Sequence, residues 1–221
     1  MTDLGYWIEE NVLAPEECDK LIEELSRSQA NRRRAGQRHL MANAAVAALA
    51  HSDRLGAIAR QALGKRAVPF RATLFEKAGY ANWLVVWHQD TALPLTSQLD
   101  DPSWGPWSVK DGIIYAHAPT WALSRVIALR IHLDASTSKN GPLRIIPASH
   151  LAGVLTDEQV TVFAHAHQQV ECLVGRGGVL ALRPLLIHAS SKARSAAPRR
   201  VLHIEYADAL QLADNIQLAI A

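Results

Sequence analysis

Cysteine is scarce: Cys18 and Cys172 are the two in 221 residues. A pair so far apart does not make the disulfide framework of a small secreted domain, and two free thiols in a reducing compartment are expected. Long apolar runs are missing too. No segment offers the roughly 18 uninterrupted apolar residues of a membrane-spanning helix, and Met1-Thr2-Asp3-Leu4-Gly5 lacks the basic-then-apolar order of a secretory signal. The expectation is a cytoplasmic protein with no membrane partner. Charge of one sign is also lacking, with 23 Lys and Arg against 21 Asp and Glu and a formal net charge of +2. Such a balance generates no long-range field to capture nucleic acid, and the run Asn31-Arg32-Arg33-Arg34, with no interleaved aromatics, is expected to be a solvated patch. With 12 Gly and 10 Pro the composition is not collagen-like, and 49% hydrophobic with 20% charged residues is that of a folded globular chain.

The length suits one domain over 1–221, and a chain of this size buries roughly 70% of its unfolded surface without help from a metal. A metal bound here therefore serves function. Residues 1–65 are expected to be helical in large part. Pro15 suits a first helical position, Glu16 and Glu17 complement the N-terminal dipole, and Cys18, Leu21, Ile22 and Leu25 repeat on one face. Two further helices are expected, from Asn43 to Ala50 and from Ser52 or Asp53 to Leu63, the latter stopped by Gly64.

From about residue 66 to 210 short runs rich in β-branched and aromatic residues alternate with turn residues. Candidate strands are 67–76, 83–89, 112–117, 126–133, 143–146, 169–173, 179–182 and 200–206. Eight short strands with helices in front predict a mainly β fold with flanking helices (α+β), of jelly-roll type. Asn140-Gly141 is the strongest turn signal and is expected to reverse the strand ending near Asp134. The Pro- and Trp-rich stretch 92–110 shows no periodicity and is expected to be a long, ordered, irregular loop.

His88-Gln89-Asp90 closes the run Trp83-Leu84-Val85-Val86-Trp87. Residues two apart in a strand share a face, so His88 and Asp90 can chelate one ion. A second copy of the spacing, His132-Leu133-Asp134, lies on a strand whose Ile127, Leu129, Ile131 and Leu133 face one way and Arg130 and His132 the other. His132 is expected to be structural. His88 and Asp90 stand where a strand runs into the long loop, the kind of mouth where ligands bind. His188, after Leu185-Leu186-Ile187, is the candidate third ligand; the alternative is a histidine at the core edge. Two imidazoles and a carboxylate on one face of iron are the arrangement of non-haem Fe(II) oxygenases, whereas the same ligands on tetrahedral zinc favour hydrolysis. An oxygenase needs an electron donor, commonly 2-oxoglutarate, whose carboxylate calls for a forked cation. Arg199 and Arg200 are candidates for that role, the alternative being two surface arginines.

Trp87-His88-Gln89-Asp90, then the segment Asn140-Gly141-Pro142-Leu143-Arg144-Ile145-Ile146-Pro147-Ala148-Ser149-His150, then His188-Ala189-Ser190 with Arg199, resemble the phytanoyl-CoA dioxygenase family of Fe(II)/2-oxoglutarate oxygenases. Gly5-Tyr6-Trp7-Ile8 and the helix after it also resemble that family's opening strand and helix, so the likeness covers most of the chain. The resemblance implies a double-stranded β-helix (jelly roll, cupin-like) with Fe(II) held by His88, Asp90 and His188. It implies 2-oxoglutarate held chiefly by Arg199 with Ser190, O2 as the other co-substrate, and Gln89 and Trp104 or Trp107 as further co-substrate contacts. Ideal strand alternation, however, turns Gln89 away from the metal face. Lys77 is a candidate second cation for a carboxylate. The family often has Gly where this chain has Ala148, so the local turn differs; His150 is expected to be a loop residue. The implied reaction is hydroxylation of a small-molecule substrate with release of succinate and CO2, by a monomer or homodimer. The alternatives are a zinc-dependent hydrolase or cupin-like isomerase built on the same triad, and a non-catalytic binding protein.

Overall fold

An amphipathic repeat needs a surface to cover, and the N-terminal helices find it on the outside of a large sheet. The computed structural model describes residues 3–27, 32–33, 36–77, 82–195 and 197–221, the pair 32–33 in backbone only. In chain order the elements begin with β1 (Tyr6–Glu9), α1 (Pro15–Arg27), β2 (Arg32–Arg33), β3 (Gly36–Gln37), α2 (Ala44–Ala50) and α3 (Asp53–Leu63). There follow β4 (Val68–Lys77), β5 (Val85–His88), β6 (Ala92–Leu95), β7 (Trp107–Lys110), β8 (Ile113–His117), α4 (Thr120–Leu123), β9 (Val126–His132) and β10 (Leu143–Ile145). The chain ends with α5 (Asp157–Ala166), β11 (Val170–Cys172), β12 (Val179–Leu182), β13 (His188–Ser190), β14 (Arg199–Ala207), β15 (Gln211–Ala213) and β16 (Ile216–Gln217).

The three helices form as their sequence predicts. Asn43 caps α2 by accepting from the amides of Ala45 and Val46, and Gly64 ends α3 at φ 83°, a conformation open to glycine. Cys18, Leu21 and Leu25 of α1, Val46 of α2 and Leu55 and Ile58 of α3 pack with Ile127, Leu129, Ile131 and Leu133 in one apolar layer. The opposite face of β9, with Arg130 and His132, is left for the interior of the barrel, and this division sets the polarity of the site.

The large sheet has the order β1-β12-β9-β14-β4-β3-β2, and a smaller sheet the order β11-β10-β13-β5. Together they make the double-stranded β-helix, with the metal-ligand candidates between the two sheets. A third sheet, β6-β8-β7, stands at one end.

Three expectations need correction. The stretch 92–110 is not one irregular loop: its ends are β6 and β7, both paired antiparallel to β8. Tertiary pairing supplies the order that strands of four residues are too short to advertise. Asn140-Gly141 does not close a hairpin, because β9 lies in the large sheet and β10 in the small one. It turns the chain in the crossover, where the Asn140 side chain accepts from Thr137 N–H and donates to the Ala135 carbonyl. Helix α5 was not anticipated, although its capping box of Thr156 and Gln159 is complete. The side chains of the basic run at 31–34 lie outside the described residues. Among the described residues no helix is long and apolar enough to cross a membrane.

Candidate metal centre

His88 ends β5 and His188 opens β13, and antiparallel pairing sets the two residues opposite each other. Their rings lie 4.2 Å apart between centroids, tilted by 54°. The His88 Nδ1 is 2.8 Å from the Val86 carbonyl and the His188 Nδ1 is 2.8 Å from the Leu186 carbonyl. A carbonyl only accepts, so each Nδ1 carries a proton and each Nε2 is the ring nitrogen turned toward a metal. Asp90 lies two residues past His88. Its Oδ1 is 3.7 Å from His88 Nε2 and its Oδ2 is 3.5 Å from His188 Nε2. Two donors bound at ~2.1 Å to one ion are at most ~4.2 Å apart, so both spacings admit a shared ion. The three residues offer ligand atoms within 4.8 Å of one another and can hold a metal ion.

Electrostatics keep this cluster in its ligating form. Burial opposes ionisation of Asp90, but His188, His88, His203 and Arg71 outweigh it and hold the carboxyl well below the usual carboxylate range. Burial pushes His188 down to about 4, with His88 acting in the same direction. A carboxylate facing two imidazole Nε2 atoms is a donor set suited to a divalent cation, and its three protein ligands leave positions open.

On one side of the cluster the barrel encloses a cavity of 260 Å³ whose lining includes Lys77, Trp83, Arg130, His188, Ser190 and Arg199. Register places Arg199 of β14 opposite Lys77 of β4. Lys77 donates to Ser190 Oγ at 2.5 Å and to the Ser191 carbonyl at 2.6 Å. Arg199 is 4% exposed, and among the described residues its Nε and Nη1 have no hydrogen-bond partner, nor has Arg130 Nε. Burial and then Arg130 push Arg199 down to about 9; burial, Arg199, Arg130 and Arg144 push Lys77 down to about 7. Three buried cations thus converge without a carboxylate among the lining residues except Asp90. Orphaned guanidinium donors in such a place fit a bound carboxylate, as 2-oxoglutarate would provide.

The neighbouring candidates separate cleanly. Arg200 faces the other side of β14 and forks onto Asp134 at 2.7 and 2.8 Å, so of the two arginines it is Arg199 that reaches the cavity. The His132-Leu133-Asp134 copy is thereby spent on structure, because buried His132 pairs through Nδ1 with Ser136 Oγ at 2.9 Å. The expected role of Gln89 is corrected: strand alternation aims it away from the metal. Its amide donates to the Gly153 and Leu185 carbonyls and accepts from Leu155 N–H. Trp107 is corrected too, since β7 belongs to the third sheet and Trp107 packs on the apolar cluster around Trp104 instead of lining this cavity. Arg144 stacks over Trp87 at 5.0 Å and bonds Gln169, outside the cavity. His150 packs against Gly5, where an added Cβ would come within 2.4 Å of its Nδ1.

A polar chain along the floor of the barrel escaped the sequence reading. Arg130 Nη1 lies 3.3 Å from His203 Nδ1, His203 Nε2 lies 3.4 Å from Glu205 Oε1, and Glu205 pairs with Arg71. Arginine only donates, so His203 accepts at Nδ1 and carries its proton on Nε2. A signal existed: Arg199, His203 and Glu205 on β14, and Arg71, Thr73 and Lys77 on β4, are polar positions at even spacing inside strands that, Arg200 and Glu76 apart, are otherwise apolar.

A jelly-roll barrel with a His-Asp-His cluster between its sheets defines a class, that of the cupin-like metal-dependent oxygenases. A model of the phytanoyl-CoA dioxygenase family (PhyH) matches residues 1–201, and the chain belongs to that family. No curated protein matches the sequence. Among solved structures, AviO1 from Streptomyces viridochromogenes Tue57 is 23% identical over 92% of this chain and 90% of its own, with a TM-score of 0.67. EctD from S. alaskensis, solved with 2-oxoglutarate and 5-hydroxyectoine, is 23% identical over 93% of this chain and 72% of its own, with a TM-score of 0.70. The non-heme alpha ketoglutarate dependent epimerase SnoN from nogalamycin biosynthesis is 15% identical over 94% of this chain and 79% of its own, with a TM-score of 0.68. At these identities the likeness is one of fold.

Proposed function

We propose that the chain is an Fe(II)/2-oxoglutarate-dependent dioxygenase that hydroxylates a small molecule, acting as one catalytic domain. The observation that carries this reading is the juxtaposition of a His-Asp-His cluster with three buried cations whose cavity is lined by no carboxylate other than Asp90. A zinc-dependent hydrolase, or an isomerase that works without 2-oxoglutarate, has no use for such a second site.

His88, Asp90 and His188 would hold the iron, and Arg199, Lys77 and Ser190 would take the distal carboxylate of 2-oxoglutarate. When bound, iron would activate dioxygen and 2-oxoglutarate would supply two of the four electrons that reduce it, leaving as succinate and CO2, while the substrate C–H would supply the other two and take one oxygen atom. The protein contributes position and field. The Val86 and Leu186 carbonyls fix the imidazole tautomers, Arg199 offers a fork that selects a carboxylate, and the apolar layers around the barrel exclude water. Two buried free thiols suit a cytoplasmic setting, and nothing in the reading needs more than one copy of the chain, alone or in a homodimer.

Two measurements test the reading. Anaerobic Fe(II) and 2-oxoglutarate should together give the visible charge-transfer band of a chelate in the wild-type protein, and Asp90→Ala should lose it with its metal. Arg199→Lys keeps the charge but not the fork, and should raise the apparent Kd for 2-oxoglutarate by about tenfold or more. A wild-type protein that binds zinc alone and ignores 2-oxoglutarate contradicts the proposal. Hydroxylation as the outcome is read by mass, as a product heavier than its substrate by one oxygen atom.

A further inference from the structure

Asp90 stands between two cavities. Beyond it, away from Arg199 and Lys77, lies a second space of 290 Å³ lined by Arg38, Arg71, Thr73, Gln89, Lys110, Tyr115 and His117 among others. Its walls come from β4 and from the third sheet, and Arg38 and Phe75 border both spaces.

The charges in this second space do not balance. Arg71 is satisfied: it pairs with Glu205 and donates to the Ala92 carbonyl at 2.8 Å. Lys110 and Arg38 are not. Among the described residues neither has a carboxylate partner, and the Lys110 ammonium rests over the Tyr115 ring at 4.7 Å, with the Arg71 guanidinium at 5.8 Å over the same ring. Burial, then Arg38 and Arg71, lower the Lys110 pKa, so the ammonium sits in a positive field. Tyr115 is engaged through its hydroxyl with His39 at 3.0 Å, and His117 through Nδ1 with Thr91 at 2.7 Å. Among the described residues the one carboxylate lining the space is Asp90, whose oxygens face His88 and His188. An ammonium group entering here would meet two cations and no free acid.

We propose that this second cavity is the substrate site and that it takes a small organic oxyanion without an amino group, its carboxylate or phosphate held by Lys110 and Arg38 and its carbon skeleton directed toward the Asp90 side. The inference rests on the oxygenase reading above and adds the substrate class. The volume is at the small end of the ~300–1,000 Å³ typical of ligand pockets, which suits a compact acid. Phe75 supplies the apolar contact for the skeleton.

Anaerobic calorimetry on the wild-type protein, saturated with Fe(II) and 2-oxoglutarate so that the Arg199 end is filled, tests the proposal with matched probes. Butyrate and 3-phenylpropionate are compared with their amides, and glycerol 3-phosphate with glycerol. At least one acid should bind saturably while its neutral counterpart does not, and the comparison of carboxylates with the phosphate identifies the headgroup. Lys110→Met should weaken that acid by about tenfold, the size of one charge-assisted hydrogen bond, and Lys110→Arg should restore it to within about threefold. Saturable binding of no acid, equal binding of acid and neutral partner, or a Lys110→Met Kd within about twofold of wild type overturns the proposal while the charge-transfer band still stands. Absence of that band before any probe is added strikes the oxygenase reading itself, and this inference falls with it.

Discussion

Burial, reinforced by Arg199, Arg130 and Arg144, brings Lys77 to about 7, so near neutral pH its charge is open to control by a ligand. The sign follows from which form a bound carboxylate prefers. An anion beside the ammonium raises the Lys77 pKa, so binding takes up a proton wherever the pH lies between about 7 and the higher value of the complex. Affinity for 2-oxoglutarate should therefore fall as pH rises through that window and level off below it. Calorimetry at about pH 8 in two buffers of different ionisation enthalpy should reveal close to one proton absorbed, against almost none at about pH 6. Equal uptake at the two pH values would show that Lys77 keeps one charge state throughout. At this same scale the cluster was legible from residue type and spacing, because His88 and Asp90 are two apart where β5 runs out. Lys110 and Arg38 carried no such sign; a lone cation in a sequence looks like surface until its neighbours are known.

Among the elements, the segment after β10 holds a local cost. Ala148 adopts φ 63° ahead of the short 3-10 turn Ser149–Ala152, and its N–H donates to the Leu4 carbonyl at 2.8 Å. The left-handed region costs a residue with a Cβ ~1–2 kcal/mol, partly offset for glycine by the greater freedom of its unfolded chain. Ala148→Gly should stabilise the protein by ~0.5–1 kcal/mol, read as a higher midpoint in thermal or urea denaturation. A lower midpoint would mean that the turn carries no strain. The elements most legible in sequence were those with a period and a cap, such as α1 with its buried Cys18, Leu21 and Leu25, or α3 with its terminal Gly64. Strand β6 was illegible because its four residues include a proline and show no alternation, and β7, Trp107-Ser108-Val109-Lys110, alternates over too few residues to stand out; the order of both comes from β8. Helix α5 buries Val160 and Ala164, too narrow an apolar stripe to stand out, though Thr156 and Gln159 marked its start.

At the scale of the molecule, the cluster of Lys77, Arg130 and Arg199 opposes folding unless an anion enters, since like charges repel and desolvated ones lose hydration. Ligand should therefore stabilise even the metal-free protein. At a concentration a hundredfold above its Kd, 2-oxoglutarate should add ~2.7 kcal/mol and raise Tm by about 5–10 °C, and a metal-free Arg199→Met variant should show a much smaller rise. Differential scanning calorimetry decides it: a wild-type Tm that ignores 2-oxoglutarate would mean that the cations have found internal compensation.

Local information in the chain was enough for the ligand types, the helices with their caps, most strands and the mainly β class, because periodicity, capping and i, i+2 geometry act over a few residues. Which arginine of the pair Arg199-Arg200 looks inward, whether Gln89 reaches the metal, and that Lys77 meets Ser190 from 113 positions away depended on sheet register and crossover. Register is settled only when both faces of β14 and β4 find partners, helices outside and the opposing sheet within. The unbalanced charge of the two cavities is a property of that assembly, and no window along the chain contains it.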